Sequence, residues 1–209
     1  MKIVLKNVSK KIGKMDVLKD VCASFENGKI YGIVGRNGSG KTMLFRAMSG
    51  LMKSNGEIWV DEKLLGKDMR IIPNLGLIIE NTQMYPEFSA YKNLKFLADF
   101  NHKIGRKEIE DALLRVGLDP KDKRSISKYS LGMRQKVSIA QAIMEKPDVL
   151  LLDEPTNGLD DDTVKKFWEI MREEKNRGAL ILLASHSKDD ILELADEVYH
   201  MHEGYLTKE

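Results

Sequence analysis

The sequence has a single cysteine, Cys22, in 209 residues. One thiol excludes an intrachain disulfide framework and fits a reducing compartment. Cys22 itself is expected to be a small, buried, apolar residue. Charge of one sign is also scarce: 34 Lys and Arg stand against 32 Asp and Glu, a net +2. That balance argues against bulk nucleic-acid binding. Long apolar runs are missing. No stretch approaches the roughly 18 apolar residues of a membrane span. The opening Met1-Lys2-Ile3-Val4-Leu5-Lys6 is too short an apolar run for a secretory signal. A soluble protein is expected, one that works at a membrane only through a partner. There are no internal repeats and no low-complexity segments. The length suits one large domain, or a core with a subdomain.

What is present is organised around Gly35-Arg36-Asn37-Gly38-Ser39-Gly40-Lys41-Thr42. This is G-x-x-x-x-G-K-T, the spacing of a phosphate-binding P-loop. A β-prone run, residues 30–34, precedes it, and a helix-compatible run, residues 43–48, follows. Glycines let backbone N–H groups converge on phosphate oxygens without a Cβ in the way. The following helix turns its free N–H groups and positive dipole end to the same phosphates. Lys41 is expected to reach the β- and γ-phosphates, and the Thr42 hydroxyl to ligate Mg²⁺. A glycine-rich turn with a stray lysine would share the letters, but not the strand before and helix after.

Strands are predicted over residues 2–8 and 16–25, the second ending at the turn Glu26-Asn27-Gly28-Lys29. Shorter strands are predicted over 57–60 and 75–79, the latter delivering Glu80. The pattern then changes to helical spacing: Leu94, Leu97, Ala98 and Asn101; Ile109, Ala112, Leu113 and Val116; and Val137, Ala140 and Met144 in a helix beginning near Ser130. Residues 81–145 thus read as a helical insert within a core of 1–80 and 146–209. Residues 149–152, Val-Leu-Leu-Leu, form a continuous apolar run, as in a central parallel strand buried on both faces. Asp160-Asp161-Asp162 opens a helix with Val164, Phe167, Trp168 and Met171 inward. Residues 179–184 are another buried strand. Ser187-Lys188-Asp189-Asp190 reads as a capping box before a helix over 191–195. A terminal hairpin flanks Glu203-Gly204. Alternating strands and helices around a P-loop imply an α/β domain on a largely parallel sheet.

Asp153 and Glu154 follow the central apolar run directly. Carboxylates at the C-terminal end of a buried strand are where α/β proteins place ligand chemistry. Asp153 is expected to hold Mg²⁺, and Glu154 to polarise a water for in-line attack on the γ-phosphate. His186 ends the next strand and is positioned to donate to a γ-phosphate. His200 and His202 alternate along a strand with no third ligand in view and are expected to be solvated.

Taken together, these segments resemble ABC ATPases. Residues 35–42, 149–154 and 157–160, with His186, look like the Walker A, Walker B, D-loop and H-loop of that family. Tyr129-Ser130-Leu131-Gly132-Met133-Arg134-Gln135 looks like its signature, usually L-S-G-G-Q. The likeness runs along the whole chain in the family's order, and it is similar to the branch of drug and bacitracin-type exporters. It implies an α/β P-loop NTPase core with a largely parallel sheet, an antiparallel β subdomain and a helical insert. It implies ATP and Mg²⁺ as ligands, Glu154 as catalytic base and His186 as a switch. Ser130, Gly132 and the D-loop Asp160 would serve nucleotide in a two-fold, head-to-tail homodimer. A transmembrane permease in a separate chain would be the other partner, holding the protein at the cytoplasmic face of the membrane.

Four positions depart from the family pattern, in three places. Leu131 and Met133 replace a glycine and a glutamine of the signature. Glu80 stands where the family has the Q-loop glutamine, and is expected near the metal. Ile12 stands where an aromatic stacks on adenine. A soluble ABC-type ATPase driving a non-transport process is the competing expectation, but such relatives usually carry a duplicated cassette or a long coiled-coil insertion, and this chain has neither. A guanine-nucleotide switch would need Asn-Lys-x-Asp, which is absent.

Overall fold

A computed structural model describes residues 1–79 and 84–209. Glu80 lies outside the described residues. The chain opens with a long hairpin, β1 (Lys2–Ile12) and β2 (Met15–Glu26), then enters β3 (Ile30–Val34) and α1 (Lys41–Met48). β4 (Asn55–Val60) and β5 (Lys63–Leu64) return to the hairpin, and β6 (Leu75–Ile78) follows. Three helices, α2 (Ala90–Asn101), α3 (Arg106–Arg115) and α4 (Leu131–Ile143), stand between β6 and β7 (Val149–Asp153). The rest is α5 (Asp161–Asn176), β8 (Leu180–Ala184), α6 (Lys188–Leu194), β9 (Glu197–His202) and β10 (Tyr205–Lys208).

The strands form two sheets. One is antiparallel, in the order β2-β1-β4-β5; the other runs β10-β9-β3-β8-β7-β6 and is parallel except for β10. The expected architecture is borne out: a mostly parallel core, an antiparallel β unit and inserted helices. Neighbouring residues of the central strands serve different cores. Val149 and Leu151 of β7, with Leu180 and Leu182 of β8, face the layer shared with α1 and the antiparallel sheet. Leu150, Leu152, Ile181 and Leu183 face the layer shared with α2–α5. A strand buried on both faces has no position for a polar residue, which explains its unbroken apolar run.

Two sequence expectations need correction. Cys22 is exposed, its sulfur accepting a hydrogen bond from the Asn7 N–H at 3.2 Å. The cause is a pair of facing bulges. Asn7 and Asp20 both adopt positive φ, at 53° and 51°, and the β1–β2 register shifts there. The inward set on β2 therefore steps from Leu18 to Val21 and Phe25, and Cys22 turns outward. The capping box at α6 is only half formed. The Ser187 hydroxyl accepts from the Asp190 N–H at 3.3 Å. The Asp190 carboxylate turns into the protein instead of back to Ser187. The terminal hairpin also does more than expected, because β9 joins the parallel sheet beside β3. His200 and His202 are exposed on β9.

Candidate active site

The loop between β3 and α1 curls at the C-terminal edge of the parallel sheet. Its conformation requires glycine. Gly38 and Gly40 have φ of 79° and 116°, and a Cβ on Gly35 would lie 2.3 Å from the Met201 carbonyl. Lys41, buried at the first residue of α1, bends back so that its ammonium donates to the Gly35 carbonyl at 2.7 Å. The next side chain, Thr42, donates its hydroxyl to Asp153 Oδ2 at 2.5 Å. A hydroxyl and a carboxylate from two elements thus meet as a pair of hard oxygens, the donor type Mg²⁺ takes.

Glu154 follows at the end of β7 with φ of 50°. A left-handed conformation at a non-glycine residue costs roughly 1–3 kcal/mol and needs support from its surroundings. Here the Glu154 N–H donates to the Ala184 carbonyl at 2.8 Å, and the Asn157 N–H donates to the Glu154 carbonyl at 3.3 Å. Oε2 lies 2.7 Å from His186 Nδ1, and Oε1 lies 3.8 Å from Lys41 Nζ. With its ring proton on Nδ1, His186 donates to this carboxylate oxygen. Among the described residues, Ser39 Oγ and Glu154 Oε1 are buried without a hydrogen-bond partner. Two unsatisfied polar atoms beside a glycine-lined loop fit a phosphate chain and its water.

These groups border a cavity of about 960 Å³, lined by Ile12, residues 36–43, Asp153 and Glu154 among others. The structure therefore brings Ile12, the P-loop and both strand-end carboxylates together, with His186 attached through Glu154. It does not bring Ser130, Gly132 or Asp160 into this cavity within one chain. The Ser130 hydroxyl caps α4, accepting from the Met133 N–H at 3.2 Å. The Asp160 carboxylate caps α5 through the Thr163 N–H at 2.9 Å, and that bond pulls its pKa down. Gly132 packs against the Gly158 carbonyl, 2.7 Å from where its Cβ would be. Sequence reasoning missed Met15 and Val17, which also line the cavity; Asn157, Leu131 and Gln135, named above only within the D-loop and signature, line it too. Gln135 donates from Nε2 to the Pro155 carbonyl at 2.7 Å. It stands four residues after Leu131, which also lines the cavity, so the i, i+4 spacing on α4 was the available signal.

Fold and site together define a P-loop nucleotide hydrolase with a helical insert. The family model described as ABC transporter matches residues 18–157. An uncharacterized ABC transporter ATP-binding protein of Bacillus subtilis is 47% identical over 96% of this chain and 92% of its own length. The bacitracin transport ATP-binding protein BcrA of Enterococcus faecalis is 34% identical over 99% of this chain and 68% of its own. A solved structure described as dimeric MJ0796, a bacterial ABC transporter cassette, superposes with a TM-score of 0.89 at 24% identity, covering 99% of this chain and 97% of that one. The chain belongs to the ABC transporter family, as an ATP-binding subunit with ATPase activity.

Proposed function

We propose that the chain is the ATP-hydrolysing subunit of a membrane exporter and acts as a head-to-tail homodimer with two MgATP at the interface. The observation that carries the chemistry is the meeting of Lys41, the Thr42–Asp153 pair and the Glu154–His186 pair around one cavity. Residues 35–42 hold the phosphates. Thr42 and Asp153 would hold Mg²⁺, which neutralises charge on the phosphates when bound. Glu80 is a further proposed metal ligand, on sequence grounds. Glu154 takes a proton from the attacking water as the water oxygen bonds the γ-phosphorus; the bond from the γ-phosphorus to the bridging oxygen breaks, and ADP leaves with that electron pair, giving inorganic phosphate. His186 holds Glu154 through Oε2 and leaves Oε1 for the water.

Ser130, Gly132 and Asp160 stay outside their own chain's cavity, which supports a role toward a second copy's nucleotide. The dimer described for MJ0796 supports the same reading. Residues 81–145 form the helical subdomain in this proposal. It exposes Phe96 and Phe100 on α2, with the Tyr85 ring 5.1 Å from that of Phe96, and this apolar surface suits a permease at the cytoplasmic face of a membrane. No helix among the described residues is long and apolar enough to cross a membrane itself. The name of BcrA, a bacitracin transport ATP-binding protein, supports a transport role over a non-transport one.

The test is steady-state hydrolysis of MgATP by the purified protein beside Glu154→Gln. The substitution keeps shape and removes the base, so kcat falls at least ~10²-fold while nucleotide still binds. Wild-type turnover in Glu154→Gln would overturn the assignment. Co-purification of a membrane protein from detergent extracts tests the transport partner.

A further inference from the structure

Asp190, on α6, is completely buried. Its carboxylate is not used by the capping box that the sequence suggested, and Asp190 does not line the nucleotide cavity. Oδ2 accepts from the Thr156 hydroxyl at 2.6 Å and from the Ser185 hydroxyl at 2.9 Å. Oδ1 accepts from the Trp168 indole N–H at 2.8 Å. All three partners are neutral donors. Burying a carboxylate on neutral donors is expensive, and an apolar side chain would fill the same space at less cost. The placement of the three donors gives the carboxylate a use.

Thr156 stands two residues after Glu154, in the loop that leaves β7. Ser185 stands one residue before His186, at the end of β8. Glu154 and His186 then meet each other, through Nδ1 at 2.7 Å and through the His186 N–H, which donates to Glu154 Oε2 at 3.3 Å. The contacts close a ring: Glu154, Thr156, Asp190, Ser185, His186 and back to Glu154. The Ser185 hydroxyl also accepts from the Ser187 N–H at 3.0 Å, so it cannot turn freely away from Asp190. Trp168 joins from α5, outside the ring, and fixes the other oxygen.

We propose that Asp190 is a positioning residue for hydrolysis: its buried carboxylate ties the Glu154 loop to the His186 loop and holds base and histidine in register. The inference rests on the assignment of Glu154 and His186 above. Asp190 is not among the residues that line the cavity, so it acts on turnover and not on binding. A base misplaced by even an ångström loses much of its effect, because the near-attack geometry is what the site supplies.

The experiment compares single substitutions around the carboxylate, each checked by thermal melting. Thr156→Val and Ser185→Ala each remove one arm of the ring, and each should lower kcat about tenfold with the KM for ATP changed less than about twofold. Thr156→Ser restores the hydroxyl and should recover most of kcat. Trp168→Phe removes a bond to the same carboxylate but reaches neither loop, and should keep kcat within about twofold of wild type. Wild-type kcat in both Thr156→Val and Ser185→Ala would overturn the proposal. So would an equal kcat loss in Trp168→Phe, since the carboxylate would then be a general staple of the fold. Glu154→Gln is measured alongside. Its continued turnover would overturn the base assignment, whereas its failure beside full turnover in Thr156→Val and Ser185→Ala would overturn the Asp190 ring alone.

Discussion

At the scale of single residues, Ile12 decides how the base is read. It is half exposed on the cavity wall, with Met15 and Val17 beside it, and none of the three has an aromatic face. Aromatic stacking contributes about 1–3 kcal/mol per base in nucleic-acid sites. Without it, affinity comes mainly from the phosphate contacts. GTP should therefore compete within about tenfold of ATP, a gap of roughly 1.4 kcal/mol. A competition titration checks this, and strong preference for ATP would point to another residue on the base. Glu80 carries a second prediction. A carboxylate near the γ-phosphate adds negative charge that a hard cation offsets. Glu80→Gln should weaken the dependence of ATP binding on Mg²⁺ while the fold is kept. Titrations at several Mg²⁺ concentrations read this, and superimposable curves would remove Glu80 from the metal shell.

At the scale of elements, the segment leading into α4 is held by charge. The Arg124 guanidinium bonds the Asp122 carboxylate at 2.7 Å, and the Tyr129 hydroxyl donates to the same carboxylate at 3.1 Å. Arg124, first, and Tyr129 together pull the Asp122 pKa from 3.8 to about 2. Burial and the same carboxylate push Tyr129 up to about 12, so it stays a neutral donor. Because the folded pKa of Asp122 is depressed, its contribution to stability is full above pH ~4 and is lost as pH falls toward about 2. Asp122→Asn should melt below wild type at pH 7, and the difference should shrink between pH 4 and pH 2. An unchanged difference across that range would mean that the bonds to Asp122 are not what orders residues 122–129. The adjoining Ser130 cap starts α4, so the same network sets where the signature segment begins.

At the scale of the whole molecule, the two cores share the parallel sheet, and α1 lies between that sheet and the antiparallel one. The phosphate loop is therefore held from three sides: by β3 before it, by α1 after it, and by Gly204, whose N–H donates to the Ser39 carbonyl at 2.9 Å. Ser130 and Gly132 stand at the start of α4 and do not line their own chain's cavity. A second copy completes the site in the proposed assembly. Glu154→Gln, expected to bind ATP and to turn it over at least ~10²-fold more slowly, should elute as a dimer in gel filtration with saturating MgATP and as a monomer without nucleotide. A monomer under both conditions would contradict the two-nucleotide dimer.

The phosphate loop, the strand-end carboxylates and the helical insert were legible in the sequence, because each follows from local rules. Glycine spacing sets the backbone of residues 35–42. Burial on both faces makes β7 and β8 continuous apolar runs. Helical spacing marks α2–α4. Tertiary structure decided what depends on partners distant in sequence. Facing bulges at Asn7 and Asp20 reversed the side of β2 on which Cys22 lies, and a bulge leaves no periodic trace that distinguishes it from an ordinary strand. The Asp190 carboxylate had a local use in view, the cap at Ser187, and took a distant one. Three donors at positions 156, 168 and 185 converge on it only once β7, α5 and β8 are packed side by side. Local spacing can predict an element and its ends, but a buried charge goes where the assembled fold presents the most donors.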